Sequence, residues 1–429
     1  MLKIFDPKLP YLKYVVWTLR IAIGATFILS GIAKVIDLWG FVYKIEQYLN
    51  VWGVPPLRTI VFMTALAISA VEFIVGVMLA TGSYKRLSVY IASLLMLVML
   101  PLSVYIVIAD PVEDCGCFGD LFVVSNTATL IKNIVIVGAI SVLILYNAKV
   151  KGLFHRYTQW MQAVICVSYV LLVGLIGYNV QPLVDFREFK NGTSIFSEDT
   201  KSIETSFVYE KDGQKETFNY NNLPDSTWTF VERIDGNDVA SDNDSGLVIT
   251  IDGEDVTQDV ISDYGEQLLL LIPEVDRADI SYTYTINEIN RYIEERGGSM
   301  VGLIATNEHG LEYWKDISLA EYDLYSMEDT EVKAIARGHI SLVYLIDGVI
   351  QWKRTLSSIN DTLFSNVNVV DALSLLYFNG TRLFWIITAI HAGLMLILLI
   401  FDKFSVRLRR KICRKNKKKN VTLQSEKTN

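Results

Sequence analysis

Four cysteines occur in the 429 residues, and only two of them stand close enough in sequence to react with each other. Cys115 and Cys117 are separated by a single glycine, Gly116, in an acidic, turn-rich segment. Glycine permits the backbone angles that closing so small a disulfide ring requires. Such a ring is strained, and a strained disulfide is reduced more easily than a structural one. The spacing therefore favours thiol–disulfide exchange at this pair.

Two other interpretations of the pair stay open. It can be a static disulfide or two unused thiols in a tight turn. It can also bind a metal ion, although two thiolates need further ligands and none of the four histidines is near in sequence. The neighbouring Glu113, Asp114 and Asp120 disfavour the thiolate form. Cys166 and Cys413 are interpreted as a small apolar core residue and a surface thiol.

Five ionisable residues fall inside long apolar stretches: Arg20, Lys34, Glu72, Lys132 and His391. Charges at membrane depth are costly and generally face a partner or a bundle interior. We expect Glu72 to be protonated or paired, with Arg20 as the candidate partner. Lys34 and Lys132 lie near the ends of their stretches and can extend their ammonium groups to water. His391 is interpreted as a hydrogen-bonded core residue, whereas the other four remain candidates for either structural contacts or proton and quinone chemistry.

The elements that must position these residues are six apolar stretches. Each approaches or exceeds the roughly 20 residues that cross about 30 Å of hydrocarbon. They lie near Tyr14–Ile36, Thr59–Thr81, Leu87–Ile108, Thr127–Tyr146, Trp160–Val180 and Arg382–Phe401. The first stretch is too long and too charged for a cleavable signal peptide. With 51% hydrophobic residues, the chain is therefore predicted to be an α-helical membrane bundle.

The net charge of −8 is the average of two opposite parts. Residues 182–380 hold 37 acidic and 14 basic residues, a net of −23, and the remainder carries +15. Basic residues concentrate at the N-terminus, after the second and fourth stretches, and in the tail, where residues 403–419 hold ten. The positive-inside rule makes these segments cytoplasmic, and the tail can also contact anionic lipid. Residues 37–58, 109–126 and 182–380 then face outward. The acidity of residues 182–380 favours a basic or cation-bearing partner and not nucleic acid.

The outward region contains no cysteine. Its second half has a predicted β-α-β-α-β-α-β-β order with a hairpin at Asp347-Gly348, which resembles the thioredoxin-like fold. Where that family carries Cys-x-x-Cys, this sequence reads Pro273-Glu-Val-Asp-Arg-Ala-Asp, and where it carries a cis-proline, this sequence has His339-Ile340. The resemblance therefore implies a binding or positioning domain without thiol chemistry, in which His339 is a tolerated substitution.

The first four stretches resemble the DoxX family and, within it, the MauE branch. The first carries Arg20-x-x-x-Gly24-x-x-Phe27-x-x-Ser30-Gly31-x-x-Lys34-x-x-Asp37, and the second carries Glu72-x-x-x-Gly76-x-x-Leu79-x-x-Gly82. The most specific feature is Cys115-Gly-Cys117-Phe-Gly119, followed by Lys132-Asn133. The resemblance covers about residues 14–147. It implies a four-helix bundle in the bacterial inner membrane that acts in extracytoplasmic disulfide or electron transfer.

Together these features predict seven regions. They are a cytoplasmic N-terminus (1–13), a four-helix DoxX/MauE-like membrane domain (14–147), a cytoplasmic loop with the fifth span (148–181), an acidic strand-rich extracytoplasmic region (182–265), a thioredoxin-like domain (266–375), the sixth span (381–401) and a basic cytoplasmic tail (402–429).

We expect a protein that exchanges disulfides or electrons with an extracytoplasmic partner through Cys115 and Cys117. A relay resembling DsbB or vitamin K epoxide reductase needs a second outward cysteine pair. Either this pair contacts quinone directly, or a partner supplies the second pair. The alternative is a non-catalytic membrane scaffold or quinone-associated subunit whose acidic domain binds a partner. Whether the chain is an enzyme stays open.

Overall fold

The computed structural model describes residues 11–109, 116–122, 124–196, 206–211, 214–219, 228–234, 247, 249–251, 254–360, 362–365 and 369–427. The chain forms two compact units. The first, here the membrane unit, comprises Met1–Phe186 and Asn379–Asn429. The second, here the α/β unit, comprises Arg187–Phe378.

The helices are numbered in chain order. They are α1 (Tyr11–Ile36), α2 (Leu38–Val51), α3 (Arg58–Thr81), α4 (Lys85–Ala109), α5 (Asn126–Tyr146), α6 (Gln159–Asn179), α7 (Thr257–Val260), α8 (Thr283–Glu295), α9 (Glu308–Ser318), α10 (Asp329–Ile335), α11 (Thr362–Ser365), α12 (Ala372–Leu375) and α13 (Gly380–Lys427). The strands are β1 (Ser206–Lys211), β2 (Gln214–Asn219), β3 (Thr229–Ile234), β4 (Thr250–Ile251), β5 (Glu254–Asp255), β6 (Glu266–Ile272), β7 (Ser299–Ile304), β8 (Asp323–Ser326), β9 (Ser341–Ile346) and β10 (Val349–Thr355).

In the part of the chain that the structure describes, six helices are long and apolar enough to cross a membrane, namely α1, α3, α4, α5, α6 and α13. This confirms the six stretches read from the sequence and makes the chain a multi-pass membrane protein. Helix α1 lies at the centre of the unit, in contact with α3, α5 and α6. Helix α4 packs mainly on α5, and α13 packs on α6.

Helices α1 and α3 approach each other closely because small residues face each other along the contact. A Cβ atom added at Gly31 would lie 2.5 Å from the backbone nitrogen of Phe73, and one added at Gly76 would lie 2.7 Å from that of Ile28. Both values are far inside van der Waals contact, so a larger residue would push the helices apart. This spacing brings short polar side chains of α1 within reach of α3.

The outward-facing segment between the first two spans contains a helix that no spanning-length apolar stretch predicts. Helix α2 begins after Asp37, whose side chain accepts a hydrogen bond from the backbone N–H of Gly40 at 3.0 Å. Such caps satisfy N–H groups that have no partner inside the helix. Leu38, Trp39 and Val42 bury one face of α2. At 14 residues it is too short for a spanning stretch, and it was missed for that reason.

The α/β unit contains a five-stranded mixed sheet in the order β10-β9-β6-β7-β8. Strands β6, β7 and β8 are parallel, whereas β9 runs antiparallel to β6 and β10 antiparallel to β9. The predicted succession of strands and helices from β6 to β10 is confirmed. Asp347 and Gly348 at the predicted hairpin have φ of 52° and 71°, the left-handed pair that a tight hairpin turn requires.

Both faces of this sheet are covered. Because successive strand residues point to opposite faces, Leu268 and Leu270 join one apolar cluster and Leu269 and Leu271 the other. Helix α8 covers the first face through three isoleucines at helical spacing, and α10 covers the second. A separate antiparallel sheet in the order β2-β1-β3 precedes this layered core in the chain.

Candidate functional site

The cysteine segment, defined here as residues 115–119, lies in the chain between α4 and α5. Cys115 lies outside the described residues, whereas Cys117 is described and half-buried. Gly116 is buried and has a φ of 63°, a left-handed conformation that glycine adopts without strain. A Cβ atom there would lie 3.1 Å from Cγ of Lys44 on α2, so the lysine stem packs against the glycine. The turn is thus held against α2 immediately before Cys117.

Cys117 is joined to α1 through its backbone. The Ser30 hydroxyl lies 2.7 Å from the carbonyl oxygen of Cys117 and 2.8 Å from Oε2 of Glu72 on α3. Both contacts are within hydrogen-bonding distance. One serine side chain therefore links the cysteine segment to the interior of the bundle.

Glu72 is paired with Lys34. The Nζ atom of Lys34 lies 2.8 Å from both carboxylate oxygens of Glu72 and 3.2 Å from the Ser30 hydroxyl oxygen. The two charged side chains are only 2% and 3% exposed. Lys34 also lies 4.9 Å from the ring centre of Phe41 on α2, within the range of a cation–π interaction.

This arrangement corrects two expectations. The suggested pairing of Glu72 with Arg20 is wrong, because Lys34 supplies the counter-charge. The expectation that Lys34 extends its ammonium group to water is wrong as well, because the side chain is buried on its partner. Ser30 and Lys34 are four residues apart and share one face of α1, so both reach the same carboxylate.

Arg20 contacts a different part of the unit. Its guanidinium donates to Asn147 Oδ1 at 2.6 Å and to the carbonyl oxygens of Asn147, Val150 and Lys151 at 2.8, 3.0 and 3.1 Å. These oxygens lie at and beyond the C-terminal end of α5, where carbonyls lack helical partners. A cation at a helix C-terminus is favourable. Arg20 thus satisfies carbonyl oxygens at the C-terminal end of α5 and in the residues just after it.

Lys132 lies on α5 near the cysteine segment. Its Nζ atom is 4.3 Å from the ring centre of Phe118, the residue after Cys117. The apolar neighbours Ile131, Ile134 and Val135 are more than half exposed on the same helix. Of the four predicted proton or quinone residues, Lys34 and Glu72 come together, Lys132 lies against the cysteine segment, and Arg20 stands apart.

The remaining candidates have ordinary packing roles. His391 of α13 packs its ring 4.5 Å from Tyr169 and 5.9 Å from Phe73. Cys166 is 1% exposed in α6. Within the described ranges, no three His, Cys, Asp or Glu side chains come together as a metal site would require.

In the α/β unit, the stretch that follows β6 carries acidic and apolar residues. The backbone and side chain of Ser281 hydrogen-bond to Asp279, and these bonds together with nearby His339 hold the Asp279 pKa below its ordinary value. Ile280 and Tyr284 beside it are exposed. The surface there combines a carboxylate, an imidazole and apolar side chains.

Sequence reasoning missed Ser30 and Phe41 as site residues. Ser30 stood in the quoted pattern beside Gly31, and its position four residues before Lys34 was the available signal. Phe41 had no such signal, because α2 was not predicted.

A comparison with known protein families finds a match within the membrane unit. Residues 12–146 match the family of the methylamine utilisation protein MauE. Residues 203–236, which include β1, β2 and β3, match a domain of unknown function (DUF8463). Neither the curated proteins nor the solved structures contain a match.

The matched region contains α1 to α5 and the cysteine segment. The chain is therefore a multi-pass membrane protein with a MauE-like unit, followed by a mixed-sheet domain. The match to the MauE family covers less than half of the chain, and the α/β unit lies outside it.

Proposed function

We propose that this protein is an inner-membrane thiol–disulfide exchange protein whose reactive groups are Cys115 and Cys117. The observation that carries the proposal is the contact from Cys117 through Ser30 to a buried Lys34–Glu72 pair. Burying two charges is costly, and a buried pair is weak evidence for stability alone. Ionisable residues buried in membrane-spanning helices commonly mark functional sites, and this pair lies one hydroxyl away from the cysteine segment.

The exchange balances within the two proteins. A partner thiolate attacks one sulfur of the Cys115–Cys117 disulfide, which forms a mixed disulfide and releases the other sulfur as a thiolate. The partner's second thiolate then attacks the mixed disulfide and leaves the pair as two thiols after protonation. Two electrons and two protons pass from the partner dithiol to the pair, and the partner leaves as a disulfide.

The reduced pair needs an acceptor to react again. One candidate is a second disulfide-bearing protein. The other is a quinone, which would take up two electrons and two protons. The exposed apolar face of α5 next to Lys132 and Phe118 supports access by a lipid-soluble molecule, and Lys132 would be the residue nearest to it.

The α/β unit would position the partner. Its sheet, with three parallel strands followed by an antiparallel hairpin, supports a thioredoxin-like assignment, and the lack of cysteine from residue 182 to 380 supports a binding role. The net charge of −23 in this region would attract a basic protein over a distance that salt shortens.

The charge pattern supports a cytoplasmic location for both termini and an extracytoplasmic location for the cysteine segment and the α/β unit. In bacteria that side of the inner membrane is oxidising, so a disulfide can persist there. The quoted residues of α1 and α3 support a relation to the DoxX family.

Thiol trapping on membranes tests the proposal. In a Cys166→Ser/Cys413→Ser variant only the pair remains, so a maleimide reagent that adds mass to each free thiol reports its state alone. We expect no modification without reductant and two additions after mild reduction. Two free thiols in oxidising medium would contradict the proposal.

The alternative function is a non-catalytic scaffold, which the large acidic domain favours. The two functions separate in a pull-down of the extracytoplasmic partner. A scaffold would keep its partner in a Cys115→Ser/Cys117→Ser variant and lose it when residues 182–380 are deleted. An exchange protein would lose the covalent fraction of its partner in the cysteine variant.

A further inference from the structure

We propose that the membrane unit binds the phosphate group of an anionic phospholipid at a cluster of three cations, Arg20, Lys85 and Lys151. The two lysines would contact the phosphate, and the buried Arg20 would hold the lysine-bearing segments in place. The site involves no cysteine and does not depend on the proposed exchange function.

Hydrogen bonds through Asn147 and Arg20 connect the two lysine-bearing segments. The side-chain amide of Asn147 donates to the carbonyl oxygen of Lys85 at 2.5 Å, and its Oδ1 atom accepts from Arg20 at 2.6 Å. The Arg20 guanidinium also donates to the carbonyl oxygen of Lys151 at 3.1 Å. Both lysines are therefore attached by their backbone to the same guanidinium, one through an amide and the other directly.

Two glycines allow these segments to pack closely. A Cβ atom added at Gly82, three residues before Lys85, would lie 2.6 Å from Nη1 of Arg20. A Cβ atom added at Gly152, the residue after Lys151, would overlap the carbonyl oxygen of Gly82. The two lysine side chains therefore start from adjacent stretches of backbone.

The cluster has no counter-charge among the described residues. Arg20 is fully buried, and its acceptors are an amide oxygen and three backbone carbonyl oxygens, all neutral. The positive charges of Arg20 and Lys151 both act against that of Lys85. No ion pair in the described part of the chain includes any of the three. Because like charges held together are stabilised by an anion between them, the cluster has the composition of an anion site.

The carboxylate of Asp402 on α13 reaches the segment after α5 but is engaged elsewhere. Its Oδ1 atom accepts hydrogen bonds from the backbone N–H of His155 at 3.1 Å and from the Thr158 hydroxyl at 2.5 Å. Its Oδ2 atom lies 4.0 Å from Nδ1 of His155. Asp402 therefore pairs with neither lysine of the cluster.

The start of α4 adds to the attraction for an anion. Lys85 is the first residue of this 25-residue helix. The N-terminal end of a helix carries partial positive charge, and its first N–H groups have no partner within the helix. In the same turn, the buried Ser88 hydroxyl has no hydrogen-bond partner among the described residues. Backbone and side-chain donors thus accompany the lysine charges.

The surroundings favour a lipid over a soluble anion. The cluster lies where α4 begins and α5 ends, and both helices are long and apolar enough to span a membrane. Leu87 and Tyr90 of α4 and Leu145 of α5 are at least half exposed, which offers apolar surface to acyl chains. The charge pattern places this end of the helices on the cytoplasmic side, where anionic headgroups attract cations.

Native mass spectrometry of the delipidated full-length protein in detergent tests the site. The protein is titrated with phosphatidylglycerol or with phosphatidylethanolamine of the same acyl chains, which has a phosphate but no net charge. We expect tighter binding of phosphatidylglycerol. Its affinity should fall about 25-fold in Lys85→Gln/Lys151→Gln, because each cation near an anionic headgroup contributes about fivefold. Lys85→Arg/Lys151→Arg, which keeps both charges, should bind as the parent does.

Arg86→Gln/Lys149→Gln is the matched control, because it removes the same charge from the same two segments. Both side chains are exposed, and neither charge is among those that act on Lys85. The control should bind phosphatidylglycerol nearly as tightly as the parent.

Three results would overturn the proposal. Equal losses in the two glutamine double variants would mean that only the general charge of this surface matters. Equal affinity of the parent for the two lipids would show that the cluster does not select an anion. Displacement of phosphatidylglycerol by millimolar inorganic phosphate would assign the cluster to a soluble anion. The exchange function is tested separately by thiol trapping, so each proposal can fail alone.

Discussion

Two of the buried charged centres in the described part of the membrane unit differ in what their hydrogen bonds reach. Arg20 is fully buried and donates to an amide oxygen and three backbone carbonyl oxygens, all of them neutral and fixed at the end of α5. The Lys34–Glu72 pair joins opposite charges from α1 and α3 and continues through Ser30 to the carbonyl of Cys117.

The comparison shows that burial of a charge does not by itself distinguish anchoring from chemistry. All four acceptors of Arg20 stay acceptors at any pH near neutrality, so its contacts have one arrangement. The Ser30 hydroxyl contacts both the Glu72 carboxylate and the carbonyl of Cys117. The second centre therefore reaches the cysteine segment, whereas the contacts of the first end at α5 and the residues just after it.

The largest effect should come from Lys34→Met. It leaves the Glu72 carboxylate buried without its cation, which typically costs about 3–5 kcal/mol of stability. Denaturant unfolding in mixed micelles, followed by tryptophan fluorescence, measures the change. Lys34→Met/Glu72→Gln is the control and should recover most of the loss. A single variant within 1 kcal/mol of the parent would show that the pair is not buried as described.

Arg20→Met should cost less, about 2–3 kcal/mol, because it leaves carbonyl acceptors unsatisfied but no unpaired charge. The same unfolding measurement applies. The redox equilibrium of the cysteine pair should stay as in the parent, since Arg20 contacts only the end of α5. A changed equilibrium would break the proposed distinction between the two centres.

Phe41→Leu should cost roughly 0.5–1 kcal/mol, because it keeps apolar volume over Lys34 but removes the aromatic face. Phe62→Leu on α3 serves as a control for losing an aromatic ring elsewhere under α2. A loss equal to that of the control would mean that the cation–π contact with Lys34 adds nothing.

The smallest effect should come from an ion pair in the α/β unit. Glu266 and Arg296 form a bidentate ion pair, in which Nη2 and Nε of Arg296 lie 2.8 and 2.9 Å from Oε1 and Oε2 of Glu266. Both side chains are 29% exposed. The guanidinium holds the Glu266 pKa below its ordinary value of 4.5. Glu266→Gln should therefore cost only about 0.2–1 kcal/mol near pH 7.

This contribution has a defined pH window. Because the Glu266 pKa is lower in the folded state, its stabilisation is present above pH 4.5 and is lost as the pH falls through the depressed value. Hydrogen-exchange mass spectrometry of β6 peptides in the full chain would follow it. A difference between parent and variant that grows as the pH falls would have the wrong sign.

The sequence predicted the elements more fully than their contacts. The spans followed from the length of apolar stretches, and β6 followed from its unbroken run of leucines, because these signals lie within one element. The partner of Glu72 depends on which helix packs against α3, and that is a property of two elements. Gly31 and Gly76 mark the close approach of α1 and α3 that places Lys34, and not the candidate partner Arg20, beside Glu72.

The candidate site was predictable in part for the same reason. Lys34 and Glu72 were recognisable as ionisable groups in apolar surroundings. Their link to Cys117 was not, because it runs through a backbone carbonyl, and any residue type supplies one. Helix α2, which places Phe41 over Lys34 and Lys44 against Gly116, was missed because a short amphipathic helix gives no spanning signal.

The most direct test of the central claim is a mixed-disulfide trap. A Cys117→Ser protein that also carries Cys166→Ser and Cys413→Ser retains Cys115 alone, and it cannot resolve a mixed disulfide by itself. The account predicts a reductant-sensitive adduct, formed when the Cys115 thiolate attacks the disulfide form of an extracytoplasmic partner and releases the partner's second sulfur as a thiolate. Mass spectrometry identifies the partner, and the adduct should be absent when Cys115 is also replaced by serine. Membranes that yield no such adduct, under conditions where Cys115 still reacts with maleimide, would contradict it.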